Sequence, residues 1–170
     1  MARKEYTDQE QRSYLYWLLA RRDYSREKLV EKLNKRGLNR NESLRLLSEL
    51  EDEKIFRPEN YEESRIAALY RKGFSVRGIR AKLSQEKISY SPEEIERVLD
   101  DRCDLNIDDN KIRFFEECLQ RYSSELEQKN NSTVIQKALN KVLQRILRKG
   151  YSANEFWAYY RESCLLYTSD

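Results

Sequence analysis

Histidine is absent from the 170 residues, so the usual base for a serine or cysteine nucleophile is missing, and with it the commonest metal ligand. Cysteine is scarce: Cys103, Cys118 and Cys164 are odd in number, far apart and not arranged as C-x-x-C. Neither a disulfide framework nor a zinc site is expected from such a pattern. No G-x-x-x-x-G-K-[ST] or G-x-G-x-x-G occurs to cradle a nucleotide's phosphates. The adjacent acids Glu62-Glu63, Glu93-Glu94 and Glu116-Glu117 would splay around their helices, so they do not form an acid/base pair. The expectation is a protein that is no enzyme and holds no metal or other cofactor. The start Met-Ala-Arg-Lys-Glu-Tyr has no apolar core of a signal peptide behind it, and no apolar run reaches membrane-spanning length. A cytoplasmic protein with no membrane partner is the reading that follows; a monomer is the separate expectation.

Proline and glycine are also few, two and four, in a chain that is 37% charged and has a mean hydropathy of −0.96. Sandwiches and barrels need more turn residues, whereas long amphipathic helices do not. The fold class expected is all-α. A net charge of +3 is too small to announce a nucleic-acid binder by itself, and the distribution of charge has to carry that argument.

What the sequence does have is a repeated stretch. Asp23-Tyr24-Ser25-Arg26-Glu27-Lys28-Leu29-Val30-Glu31-Lys32-Leu33 returns fifty positions later as Gly73-Phe74-Ser75-Val76-Arg77-Gly78-Ile79-Arg80-Ala81-Lys82-Leu83. In both, serine can cap a helix whose aliphatic residues, Leu29 to Leu33 and Ile79 to Leu83, share one face. Paired cations precede each copy, Arg21-Arg22 and Arg71-Lys72, and Arg148-Lys149-Gly150-Tyr151-Ser152 repeats the wording near the C-terminus. A period of this length implies an array of units sharing a core. Three tandem three-helix repeats in an elongated, curved array are expected, over 1–57, 58–107 and 108–162, with 163–170 a frayed or non-native tail.

The helix signals run in the same order. Thr7 and Glu10 form a capping box for a first helix from about Asp8 to Arg22. Gly37 is placed to end the second helix, and a third, about Arg40 to Glu53, should bury Leu44, Leu47 and Leu50. Asn60 with Glu63 would cap a fourth that closes at Gly73, and Ser91-Pro92-Glu93-Glu94 starts a sixth. The acidic segment Asp100 to Asn110 reads as a boundary. From Lys111, Ile112, Phe115, Leu119 and Tyr122 should line a seventh helix, and 129–132 should be a polar loop. An eighth helix then runs to Lys149, apolar on more than one side, and Ser152 with Glu155 caps a last one that carries Phe156, Trp157, Tyr159 and Tyr160.

Charge alternates along the chain. From Tyr70 to Leu83 every charged residue is positive, from Glu93 to Asp109 acids dominate, and from Gln128 to Asn154 there is no acid. In-register stacking would turn the separate basic helices into a stripe that could follow a phosphate backbone or an acidic protein groove. A merely solvated face explains lysine and arginine on helix exteriors equally well. Likewise, Tyr14, Trp17, Tyr24 and Phe74 could stack on exposed bases, but at helix spacing among leucines they read as core.

The blocks Leu18-Leu19-Ala20-Arg21-Arg22-Asp23-Tyr24-Ser25-Arg26-Glu27-Lys28-Leu29, Leu33-Asn34-Lys35-Arg36-Gly37 and Arg71 to Leu83, with Ile95 to Leu99 behind them, resemble the RecX family of bacterial recombinase regulators. The resemblance covers residues 10 to 100 strongly, and the third repeat weakly through Leu143 to Phe156. It implies a non-catalytic protein that binds the RecA recombinase and lies in the groove of its nucleoprotein filament. There it would limit filament growth, ATPase activity and strand exchange in recombination and repair. Members also touch DNA without sequence preference, so Arg21, Arg22, Lys35, Arg36, Arg71, Lys72, Arg77, Arg80, Lys82, Arg148 and Lys149 become candidates for contact with filament or phosphate. The chain departs from the family at Gln85-Glu86-Lys87-Ile88, where a glycine is usual after the second helix. A sequence-independent DNA-binding repeat protein with no dedicated recombinase is the alternative reading.

Overall fold

The computed structural model describes residues 6–103, 107–128 and 131–166. Those residues form ten helices and no strand: α1 (Asp8–Leu19), α2 (Arg26–Lys35), α3 (Arg40–Asp52), α4 (Pro58–Arg71), α5 (Val76–Gln85), α6 (Pro92–Arg102), α7 (Ile107–Gln120), α8 (Ser123–Leu126), α9 (Ser132–Arg148) and α10 (Ala153–Leu166). The protein is therefore all-helical. Among the described residues no helix is long and apolar enough to cross a membrane. The chain divides into two compact units, with the division inside α4 between Arg65 and Ile66.

The helices begin where local chemistry says they should. Thr7, Ser25, Asn39, Ser75, Ser91 and Asn131 each accept a hydrogen bond from the backbone N–H three residues on. Ser152 does the same for the N–H of Glu155. Such a bond satisfies one of the four donors that a helix N-terminus leaves unpaired. Thr7 with Glu10, Asn39 with Glu42 and Ser91 with Glu94 are reciprocal boxes. Helix ends also share one device. The N–H of Gly37 reaches the carbonyl of Asn34 while Leu38 reaches back to Leu33, and Lys87 with Ser84 and Ile88 with Leu83 repeat the pair fifty residues on. The residue between the two bonds must sit in the left-handed region. Gly37 has φ 106° and Lys87 φ 59°, so a lysine holds at the second turn the left-handed backbone that glycine supplies at the first.

In the first unit Leu15 and Leu18 of α1, Leu29, Val30 and Leu33 of α2, and Leu46, Leu47 and Leu50 of α3 form one core with Tyr24 and Phe56. Leu44, expected inside, is only partly buried, and Leu46 takes its place. In the second unit Ile66, Leu69, Tyr70, Ile79, Leu83, Ile95 and Leu99 are buried. Phe114, Phe115, Cys118, Leu139, Val142, Ile146, Tyr151 and Phe156 form one cluster there. Rings of Phe115, Tyr151 and Phe156 meet edge to face within 6 Å, a favoured arrangement for aromatic pairs.

Several expectations change. α1 stops at Leu19, with Ala20 as its C-cap, and not at Arg22. α4 starts at Pro58, not at Asn60, because proline's fixed φ suits the first turn and it has no N–H to leave unpaired. α7 starts at Ile107 rather than Lys111 and turns Phe114, Phe115 and Cys118 inward, leaving Ile112 exposed. The short α8 lies where no helix was expected, and Ser132 belongs to α9 and not to a loop; residues 129 and 130 lie outside the described residues. α10 extends to Leu166, so 163–166 continue a helix, while 167–170 lie outside the described residues.

A candidate anion-binding surface

The two related wordings Arg71-Lys72-Gly73-Phe74-Ser75 and Arg148-Lys149-Gly150-Tyr151-Ser152 lie against each other. The Ser75 N–H and hydroxyl both donate to the Lys149 carbonyl, at 3.0 and 3.3 Å. Arg77 Nε donates to the Gly150 carbonyl at 2.8 Å, and Lys149 Nζ donates to the Lys72 carbonyl at 2.8 Å. Backbone touches backbone here. A Cβ on Gly78 would stand 2.1 Å from the Lys149 oxygen, and one on Gly150 would stand 2.5 Å from the Gly78 Cα. Only glycine fits either position. Beneath the junction the amide of Asn110, itself buried, donates to the Tyr70 carbonyl at 3.1 Å, and Phe114 lies where a side chain on Gly73 would go.

This packing gathers cations. The Lys149 ammonium sits 4.0 Å from the centre of the Phe74 ring. Burial holds its pKa below the usual lysine value, and repulsion from Arg145, Lys72 and Lys82 lowers it further. Lys72, Lys82, Arg145 and Lys149 therefore share one electropositive neighbourhood. It continues along α9, where Tyr122, Asn140, Lys141, Gln144, Arg145 and Arg148 line an open hollow of about 350 Å³ with no acid in its wall. Lys141 Nζ lies 5.6 Å from the centre of the Tyr122 ring. Burial raises the pKa of the Cys118 thiol despite the nearby Arg145, which keeps Cys118 a packing residue.

Other candidates divide sharply. Arg77 is exposed and tied to the Gly150 carbonyl, and its charge helps hold the Glu155 carboxyl low. Glu93, at the start of α6, has its pKa lowered by its own backbone N–H and by the Ser91 side chain, and the charge of Arg80 adds to that. Neither arginine joins the lysine cluster. Arg71 and Lys72 are exposed at the end of α4, Lys82 donates to Gln85 at 3.3 Å, and Arg148 Nε donates to the Gln144 carbonyl. In the first unit Arg21 lies over the Trp17 ring at 4.4 Å and Arg22 over Tyr24 at 4.6 Å. Arg36 lies over Tyr14 at 4.3 Å and donates through Nε to Gln11 at 2.8 Å. Lys35 is exposed.

Lys141 and Arg145 stand in this surface although the repeat wording gave no reason to choose them. Their signal was the acid-free run from Gln128 to Asn154, which becomes legible as a surface once α9 supplies its face. Gly78 had a signal too: an isolated glycine inside a helix marks a close approach. Trp17 was read as core, yet it is 53% exposed. Among the described residues no group of three or more acids or cysteines could hold a metal ion. Comparison with protein-family models, with curated proteins and with solved structures gave no match.

Proposed function

We propose that the chain is a non-catalytic regulator of a RecA-type recombinase, built as three tandem three-helix repeats, that binds the recombinase filament and its DNA. The observation that carries this reading is the basic surface of the second unit, where Lys149 lies over the Phe74 ring within reach of the charges of Arg145, Lys72 and Lys82 and the hollow beside it along α9 has no acid in its wall. Like charges held together at a stability cost are favoured when an anionic partner neutralises them. The aromatic-plus-serine repeat and the RecX-like blocks that contain it supply the identity of the partner. The protein acts by occupying the groove, so its effect depends on which filament state it binds more tightly.

Filament ATPase activity on single-stranded DNA, measured at fixed salt with this protein added below stoichiometric amounts, tests the reading. Loss of activity at substoichiometric ratios is expected. An effect that begins only when the DNA is saturated would assign the protein to phosphate binding alone. Lys72→Glu, Lys82→Glu and Arg148→Glu combined should abolish the effect with helix content unchanged, whereas Arg80→Glu, outside the cluster, should leave it nearly intact.

A further inference from the structure

On the outward face of α1 Tyr14 and Trp17 stand at i and i+3, and Arg21 follows just beyond the Ala20 cap that ends the helix. The Tyr14 and Trp17 rings are within 17° of parallel with centroids 6.3 Å apart. Arg21 stacks on Trp17 at 4.4 Å, and Arg36, from the end of α2, stacks on Tyr14 at 4.3 Å and on Tyr6 at 3.7 Å. The run is thus a ladder of flat groups, alternately ring and guanidinium at its ends. Its centre is Trp17, which is 53% exposed, more than the other large hydrophobics that reach the surface among the described residues.

The charges around the ladder are settled by other pairs. Glu49 and Glu53 are held by Arg12, Glu51 by Arg26 and Glu27 by Arg40, all arginines outside the ladder. Arg21 rests on a ring, and Arg36 rests on two rings and donates through Nε to Gln11, in a hollow that Asp8, Glu42 and Glu49 also line. Neither guanidinium is paired with a carboxylate among the described residues, so their charge remains available to an anion. An exposed indole flanked by guanidinium planes, with positive charge at either end, matches a strand of bases alternating with phosphates. An acidic peptide would use the cations but leave the exposed part of the Trp17 ring without a counterpart.

We propose that this ladder is a stacking platform for the bases of single-stranded nucleic acid, with Arg21 and Arg36 taking the adjoining phosphates. It rests on the first unit alone and requires no recombinase, so it stands or falls apart from the function proposed above. A base entering the ladder extends or replaces a ring–guanidinium contact with another flat π contact. Sequence preference is not expected, because every base has such a face.

The test is fluorescence titration of the full chain, at fixed salt, with oligothymidylate, an abasic deoxyribose-phosphate oligomer of equal length, and polyglutamate. The Trp17 signal is obtained as the difference between the wild type and Trp17→Phe, because Trp157 is common to both. Saturable quenching by oligothymidylate, absent with the abasic strand, is expected. Trp17→Ala should weaken oligothymidylate binding roughly tenfold while leaving abasic binding unchanged, and Trp17→Phe should recover most of the loss. Equal affinity for the two oligomers without quenching would overturn the proposal, and so would quenching by polyglutamate as strong as that by oligothymidylate, which would make the surface one for acidic protein.

Discussion

Asp23 to Leu38 and Gly73 to Ile88 are two copies of one local design placed against different neighbours. Each opens with a serine cap, Ser25 on the Lys28 N–H and Ser75 on the Gly78 N–H. Each buries an aliphatic pair, Leu29 with Leu33 and Ile79 with Leu83, and each closes with the same pair of backbone bonds. Around that frame they diverge. The first copy finds its partners in α3 and the residues beside it: Arg26 pairs with Glu51, and Glu27 takes both guanidinium nitrogens of Arg40. In the second copy Val76 stands at the Arg26 position, Arg77 at that of Glu27 and Gly78 at that of Lys28. These changes fit it to the backbone of Lys149 and Gly150. Local sequence makes the helix, and three consecutive positions choose what it meets.

The sharpest way to break this contrast is Gly78→Ala. The new methyl would meet a backbone carbonyl that cannot rotate away, so a loss of about 3 kcal/mol is expected in denaturant unfolding. Lys28→Ala, at the matching position, should cost less than about 0.5 kcal/mol, because Lys28 is exposed. Equal effects would mean that the close approach at Gly78 is absent in solution.

A smaller difference is expected at the caps. Ser25→Ala should cost about 1 kcal/mol, the usual loss of an N-cap. Ser75→Ala should cost about 2 kcal/mol, since its hydroxyl also bonds the Lys149 carbonyl. Identical losses would show that the second bond contributes nothing.

The helix ends offer a reciprocal exchange. Gly37→Lys imposes a left-handed lysine and should lower stability by about 1 kcal/mol, although nothing obstructs the side chain there. Lys87→Gly relieves the same strain, and its gain should stay below about 1 kcal/mol because glycine adds entropy to the unfolded chain. Thermal melts of the two variants should move in opposite directions.

The smallest effect concerns acid. Burial works to raise the Glu155 carboxyl, but bonds from the Ser152 hydroxyl and N–H outweigh it and bring the pKa below the usual glutamate value. A carboxyl depressed in the folded state stabilises fully above its unfolded pKa, near 4.3, and loses that contribution as pH falls through the lower folded value. The Tm gap between wild type and Glu155→Gln should therefore be open at neutral pH and close in acid. A gap that persists at pH 2 would remove the linkage.

Much of the framework was legible because helix starts and stops are local events. Ser91-Pro92-Glu93-Glu94 specifies a cap within four residues, and the Gly37 turn follows from one residue's freedom at positive φ. Lys87 shows the limit of that grammar: the turn persists without its glycine because Ile88, buried beside it, and the two closing bonds hold the lysine there. The Asn60 cap failed for a related reason, since Pro58, two positions earlier, took the first turn.

The sequence by itself determined that this chain is helical, where most of its helices begin, and that one serine-capped design is used more than once. These depend on side chains bonding to backbone a few positions away. Tertiary structure alone decided which cations gather. Arg77 and Arg80 belong to the same basic run as Lys72 and Lys82, yet packing sets the first two near Glu155 and Glu93 and joins the others to Arg145 and Lys149. It also decided that Trp17 stays in water while Phe115 and Phe156 do not. Coulomb repulsion and solvent exposure depend on distance in space, and neither is written in the spacing of residues along the chain.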